Sequence, residues 1–507
     1  MNKWDLSGAL SGVVPKLVEA AAPDKIRQMS TAAPEEMHTE EVSRLRRLGR
    51  ALKDVFTRHK SLRIVLPVLA LLALAVILIK PSELMRTLTV KAYAMALAEH
   101  PEEEGRSATA EEYQTKVQAA LGSGRDLAEF FAESITEILS GGDSAAEHKN
   151  QLYSPLNSYM ALAMLAECAG GESREEILSL LGVTDIETLR EKTAAIYLAN
   201  SRDTKEVKSV LYNSLWLDQA LPYNEETVRT LSEKYFASSF RGEMGSDGYN
   251  KALKAWLKEA TDGLLPARYL DGVSMKPDTV MALVSALNLD VKWEGFKRSA
   301  SFSGTFYAVN GQRTVTYMYQ DVETALCVRG KNYYAMRLRM SGNLSAWFIL
   351  PDGGAGGTTP EALLQEETYQ TFIKLLMQGE LTEGMPHGED LAHNYAKVHL
   401  TLPRFDITAE NNLKNSFRRL GLTKALSETE ADFSGITSVD SYVSDFRQAA
   451  RLIANEEGIR AVSFTFGRVE PKAAILSEIT LTFNRPFLFL LMSQDNLPLY
   501  AGIVNKP

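Results

Sequence analysis

Cysteine is almost missing from this chain, with two residues, Cys168 and Cys327, among 507. That excludes a disulfide framework and leaves the redox compartment open. Both lie in apolar runs, 164–168 (MLAEC) and 325–328 (ALCV). They read as small buried side chains rather than nucleophiles. Basic charge is not in excess either. The 55 Lys and Arg against 64 Asp and Glu leave a net charge of −9, so no nucleic-acid partner is expected. The seven histidines are scattered. His387, Asp390, His393 and His399 lie close in sequence, but His387 and His393 are six apart and no cysteine is near. A helical zinc pair needs i,i+4 spacing, so no metal is expected. The glycine run 353–357 (GGAGG) lacks the G-K-[ST] of a phosphate loop and reads as a turn. No G-x-S-x-G elbow and no paired catalytic carboxylates are present, so the chain is not read as an enzyme and no cofactor is expected.

What is present begins with an unusual N-terminal quarter. Residues 39–60 place Val42, Leu45, Leu48, Leu52 and Val55 at helical spacing, with Arg44, Arg46, Arg47, Arg50, Lys53 and Arg58 opposite. Such a helix suits an anionic membrane surface. Residues 64–79, IVLPVLALLALAVILI, carry no polar side chain. As a helix they span about 24 Å, a little under a ~30 Å hydrocarbon core. Arg63 and Lys80 flank the run and can snorkel to the headgroups. Pro67 falls in the first turn, where a missing N–H costs little. A cleaved secretory signal fits poorly, because its charged leader would be over about 60 residues long. The chain is therefore divided into a cytoplasmic segment 1–62, a single transmembrane helix 63–80, a stalk 81–122 and a folded domain 123–507. The stalk contains two helix-prone stretches, 84–99 and 109–121, separated by the breaker HPEEEG. Basic residues crowd the N-terminal flank and Glu102, Glu103 and Glu104 the C-terminal side, so the folded domain is expected outside the cell membrane.

The other informative stretch is 454–487, ANEEGIRAVSFTFGRVEPKAAILSEITLTFNRPF. It opens on a polar turn and closes on the β-forming run 479–483, followed by the apolar strand 488–491. About twenty residues between them suit neither a helix nor a core strand, and loops this long are usually functional or disordered. Their parities differ. Ile459, Ala461, Ser463, Thr465 and Gly467 are mostly small; Arg460, Val462, Phe464, Phe466 and Arg468 are bulky or charged. A loop patterned as a strand suits a segment with two states.

The NEEG turn, the loop, FNRPFLFL and 500–505 (YAGIVN) together resemble the C-terminal signature of the serpins. Other segments follow in family order. Residues 150–157 (NQLYSPLN) and 161–165 (ALAML) resemble the N-x-x-x-S-P-x-S helix segment. Residues 213–217 (NSLWL) resemble the first strand of the main sheet, and Trp256 with 261–263 (TDG) the helix lying across it. Residues 282–286 (ALVSA) and 292–294 (KWE) resemble its third strand and the tryptophan at its upper end. The motifs 348–352 (FILPD), 402–405 (LPRF) and 431–435 (ADFSG) come after. The likeness covers roughly residues 125–507, and so many motifs in order are specific.

The resemblance implies an α+β serpin-like fold: a large main β-sheet, additional sheets, flanking helices and an exposed reactive loop. It implies a membrane-anchored inhibitor that traps serine proteases, trypsin-like or elastase-like, as a covalent acyl-enzyme. Counting along the loop places the reactive bond at Lys472–Ala473, with the loop hinge at Glu456, Glu457, Gly458, Ile459, Arg460, Ala461, Val462 and Ser463. The region that opens the sheet maps to Ser154, Asn157, Ser285 and Gln448, with Trp293 above. There are departures. Ile459 stands where inhibitory members carry a small hydroxyl residue, and an extra methyl group in a packed slot costs about 1–3 kcal/mol. Asn157, Ser285 and Gln448 replace the family's usual polar partners, and Ser154 is retained. The alternative is a non-inhibitory serpin-fold binding or structural protein displayed on the cell surface.

The topology has a direct test. With a tag at each end, external protease on intact cells is expected to digest the C-terminal domain and spare the N-terminal tag. The reverse pattern overturns the orientation.

Overall fold

The computed structural model describes residues 93–96, 125–141, 147–204, 207–293, 296, 300–353, 357–381, 391–459 and 477–507. All belong to one compact unit, Thr89–Pro507. The candidate spans 39–60 and 63–80 lie outside the described residues. Among the described residues no helix is long and apolar enough to cross a membrane.

The main sheet runs in the spatial order β1 (Tyr93–Ala96), β5 (Ala237–Gly242), β4 (Val207–Asp218), β6 (Met281–Val291), β14 (Gly458–Ile459), β13 (Arg447–Asn455) and β12 (Phe405–Asn412), with β3 (Arg202–Asp203) paired to β4. The second sheet runs β15 (Ser477–Thr482), β11 (Leu391–Pro403), β8 (Gly311–Gly330), β9 (Tyr333–Arg339), β10 (Ser345–Pro351), β16 (Phe487–Met492), β17 (Pro498–Val504) and β2 (Gln151–Tyr153), with β7 (Phe302–Ala308) on β8. The helices are α1 (Arg125–Ser140), α2 (Pro155–Cys168), α3 (Gly171–Leu180), α4 (Ile186–Asn200), α5 (Glu225–Lys234), α6 (Asp247–Ala260), α7 (Ala267–Gly272), α8 (Pro360–Leu363), α9 (Glu367–Gln378) and α10 (Leu413–Arg419).

One expectation is corrected here. The stretch 84–99 was expected to be helical, yet Tyr93–Ala96 is strand β1, antiparallel to β5 through Tyr93↔Arg241 and Ala94↔Phe240. Without it β5 would present an open edge, and pairing backbone groups there outweighs a weak helical preference. Residues 213–217 lie in the main sheet as expected, on β4, which runs between β5 and β6, parallel to the former and antiparallel to the latter. Among the described residues the other strands join in one nine-stranded sheet. The cause is β8, a strand of 20 residues that pairs with β7 at its start, β9 at its end and β11 across most of its length.

Helix α2 lies at the centre. Pro155 occupies its first turn, where no N–H is needed, and every residue except Ala161 is buried. A helix apolar on all sides belongs inside a core. It packs against β6 of one sheet and β17 of the other. Strand β16, FLFLLM, is buried at every position, as its unbroken apolar run predicts. Tyr500 on β17 ties the layers by donating to the Leu287 carbonyl of β6 at 2.8 Å.

Helix α6 covers the other face of the main sheet with a small core of its own, built on Trp216, Phe240, Tyr249, Leu253 and Leu257. Ser246 caps its start, accepting from the Tyr249 N–H at 3.3 Å. Asp262 and Gly263, at φ 50° and 66°, end it. Trp256 packs half-buried at the margin of this cluster. The Tyr249 hydroxyl lies 3.1 Å from the Leu217 carbonyl and 3.0 Å from the Phe240 carbonyl, donating its one proton to either, and accepts from the Leu217 N–H at 3.1 Å. Tyr249→Phe is expected to lower unfolding free energy by about 1–2 kcal/mol, the cost of stranding buried backbone partners, read by chemical denaturation.

Candidate functional site

The site is a discontinuity in the main sheet. Strand β6 pairs with β4 on one side and β13 pairs with β12 on the other. Between β6 and β13 the described residues supply only β14. Ile459 pairs with Val291 of β6 and Ala454 of β13, and Gly458 with Asn455. At that level the two long strands stand two strand spacings apart, roughly 10 Å. Further along, no pairing joins β6 to β13 among the described residues. Residues Met281 to Ser285 of β6 are accordingly only half-buried.

Ile459 was expected to fit this slot at a cost. It is 4% exposed and belongs to the main core cluster, so the slot accommodates its side chain. Gly458 is less replaceable. Its φ is +135°, and a Cβ there would sit 2.2 Å from the Val291 carbonyl oxygen. The turn before it is fastened from three sides. Trp293, just beyond β6, donates its indole N–H to the Asn455 carbonyl at 2.5 Å. The Asn455 side chain accepts from the Glu457 N–H at 2.9 Å. Glu456 is buried and accepts from Arg404 Nε at 2.9 Å and Nη2 at 2.5 Å, and from the Ser301 hydroxyl. Burial works to raise the Glu456 pKa, but the hydrogen bonds from Arg404 and Ser301 outweigh it and hold the carboxyl below its usual range.

The four polar positions expected under the sheet are all near the start of α2, but they form two groups. On the β6 side, the Ser285 hydroxyl lies between Asn213 Oδ1, at 2.7 Å, and Asn157 Oδ1, and donates its one proton to either of them. Asn157 Nδ2 returns a bond to the Ser285 carbonyl at 3.1 Å. On the β13 side, the Gln448 amide brackets Ser154. It accepts from the Ser154 N–H at 2.7 Å, and donates to the Ser154 carbonyl at 2.9 Å and the Ser158 hydroxyl at 3.1 Å. Ser154 precedes α2 but does not cap it; its hydroxyl donates to the Leu499 carbonyl of β17 at 2.7 Å. No side-chain hydrogen bond joins the two groups among the described residues. Each long strand is thus docked separately to one helix. Trp293 belongs to neither group, lying about 26 Å along the strand from Ser285.

Four participants were not singled out from the sequence: Asn213, Ser158, Arg404 and Ser301. Asn213 carried a signal, a polar residue inside the apolar run of β4. Ser301 and Arg404 carried none, because their partner Glu456 is distant in sequence. The hinge positions Arg460, Ala461, Val462 and Ser463 and the expected reactive bond Lys472–Ala473 lie outside the described residues. Cys168 and Cys327 are both buried and unbridged. Burial pushes the Cys168 thiol up, and the Cys327 thiol up to about 12, so neither supplies a thiolate near neutrality.

A sequence profile described as "Serpin (serine protease inhibitor)" matches residues 129–507, well over half of the chain. Among curated relatives, the plasma serine protease inhibitor of Bos taurus is 26% identical over 72% of this chain and 87% of its own length. The alpha-1-antichymotrypsin of Pongo abelii is 26% identical over 71% of this chain and 83% of its own. Among solved structures, the thermophilic serpin tengpin in its native state superposes with a TM-score of 0.63 at 20% identity, covering 82% of this chain and 100% of that one. Thyroxine-binding globulin in complex with thyroxine gives 0.60 at 21% identity, covering 75% and 99%. At these identities the structures establish the fold alone.

Removing Arg404 leaves a buried carboxylate without its cation. Arg404 is itself 45% exposed. Arg404→Ala is therefore expected to cost about 1–3 kcal/mol at pH 7, less than the ~3–5 kcal/mol for a fully buried pair. The Glu456 pKa is lowered on folding, so the pair's stabilisation is present above the ordinary carboxylate value and lost as pH falls through the lowered one. Thermal unfolding from pH 7 to pH 3 should show the wild type and the variant converging at the acid end.

Proposed function

Because this chain belongs to the serpin family, we propose that it is an inhibitor that traps serine proteases by inserting its cleaved loop between β6 and β13. One observation carries the reading: Gly458 and Ile459, the first residues of the loop, are already paired to both strands at the head of a slot with no other described occupant. The loop pattern agrees, since continuing the strand from Ile459 turns the small parity toward the face that Ile459 buries.

The chemistry follows from the bait. The protease serine attacks the Lys472 carbonyl, an ester forms between them, and the Lys472–Ala473 amide breaks with its nitrogen leaving protonated. The freed stretch from Ile459 to Lys472 spans about 45 Å as a strand, enough to carry the tethered protease along the whole sheet. Separation from Ala473 prevents religation, and distortion of the carried protease stalls hydrolysis of the ester. A lysine at the bait suits a protease with a carboxylate at the base of its specificity pocket, as in trypsin. Residues 63–80 hold the domain to the membrane lipid as a single span in this reading, with the inhibitor domain outside the cell. Its support is the uninterrupted apolar run with flanking Arg63 and Lys80 and the basic face before it.

The test is incubation of the protein with trypsin and with elastase. A trypsin complex stable to denaturing electrophoresis is expected, with Ala473 at the new N-terminus. Lys472→Ala should slow trypsin trapping at least about 100-fold, because the pocket carboxylate loses its partner. Cleavage without any stable complex would instead support a binding protein on the serpin fold.

A further inference from the structure

Strand β15 follows the loop directly and forms the edge of the second sheet. Among the described residues it pairs only with β11, in parallel, from Ala396↔Ser477 to Thr401↔Thr482. Its apolar attachment is slight. Leu481 is buried and Ile479 half-buried, while Ser477, Glu478 and Thr480 are exposed. Parallel pairing is also slightly weaker per residue than antiparallel. A side-chain tie at such an edge therefore carries weight.

That tie is His399 on β11. Its Nδ1 lies 2.6 Å from Asp321 Oδ1 on β8, and its Nε2 lies 2.8 Å from Glu478 Oε1 on β15. The ring thus spans three adjacent strands, with both nitrogens against carboxylate oxygens. A neutral imidazole has one N–H and can satisfy one of them, leaving a lone pair facing the other. Only the imidazolium donates to both. The sequence grouped His399 with His387 and His393; the fold gives it partners from two other strands instead.

We propose that His399 is a proton-operated clasp that holds β15 to its sheet at mildly acidic pH and loosens it on the alkaline side. The facing charges favour the proton. Asp321 comes from β8 and Glu478 from β15, against Lys397 of β11, which lies 3.4 Å from Glu478 and is itself offset by Glu323 of β8. Tyr319 of β8 donates to Asp321 at 2.6 Å and lies 3.2 Å from Nδ1. Hydrogen bonding to Asp321 first, and to Glu478 second, raises the His399 pKa above its ordinary 6.5. The group is raised on folding, so the clasp is complete below about pH 6.5 and is lost as pH climbs through the raised value. The clasp is independent of the inhibitory reading. If that reading holds, the clasp also governs how firmly the far end of the loop is anchored.

Hydrogen exchange on the full-length protein at pH 6.0 and pH 8.0, corrected for intrinsic rates, tests this. The amides of residues 477–482 are expected to lose protection by about two- to fivefold between the two, while β16 stays constant. His399→Gln should abolish the difference. Glu478→Gln keeps the ring, removes one carboxylate, and should shrink it. The His399 resonance in the wild type should titrate above 6.5. A pH dependence of β15 unchanged in both variants, or a His399 titration at or below 6.5, overturns the proposal. The readouts in Glu478→Gln and the wild type decide it even if His399→Gln does not fold.

Discussion

The backbone pairing of one residue holds the architecture in its present state. Ile459 bonds to β6 on one side and β13 on the other, and among the described residues no other strand pairs with both. Backbone N–H and C=O groups are obligatory hydrogen-bonding partners, and a row left without them is a demand that another strand can meet. The turn before Ile459 is correspondingly constrained. Gly458 supplies a conformation closed to other residues, Glu456 is held by Arg404 and Ser301, and Trp293 grips Asn455. A loop fastened this firmly at one end has a defined direction in which to extend.

Helix α2 docks the two sides of the slot separately. Asn157 docks β6 through Ser285, and Ser154 with Ser158 docks β13 through Gln448. Each link is a small network of side-chain and backbone hydrogen bonds. A change in the separation of the strands must therefore break one network or the other, and buried polar groups make such a break costly. The core beneath is close to continuous from β16 and β17 through α2 to the sheet, so the helix is a common support to which both strands are docked.

Much of this was legible in advance. The all-apolar β16, the β-forming run of β15, the turn at Glu456–Glu457 and the burial of both cysteines follow from local pattern. Asn157, Ser285 and Gln448 were found as positions, but not as partners. Which of them touch depends on where β6 and β13 fall relative to α2, and that separation is set by what lies between the strands. Tyr93–Ala96 was misread for a related reason: strand formation there answers to the open edge of β5, which is over a hundred residues away. Local propensity in an alanine-rich stretch is worth only tenths of a kcal/mol per residue, too little to resist such an edge.

The sequence by itself determined the periodicities, the polar residues inside apolar runs and the parity of the loop. These are properties of neighbours along the chain, and covalent spacing enforces them. Only the tertiary structure decided that Arg404 meets Glu456, that His399 lies between Asp321 and Glu478, and that Ile459 is received by two strands at once. Each of these contacts joins segments distant in sequence, and a charge or a hydrogen-bonding group carries no record of its partner until the chain has closed around both.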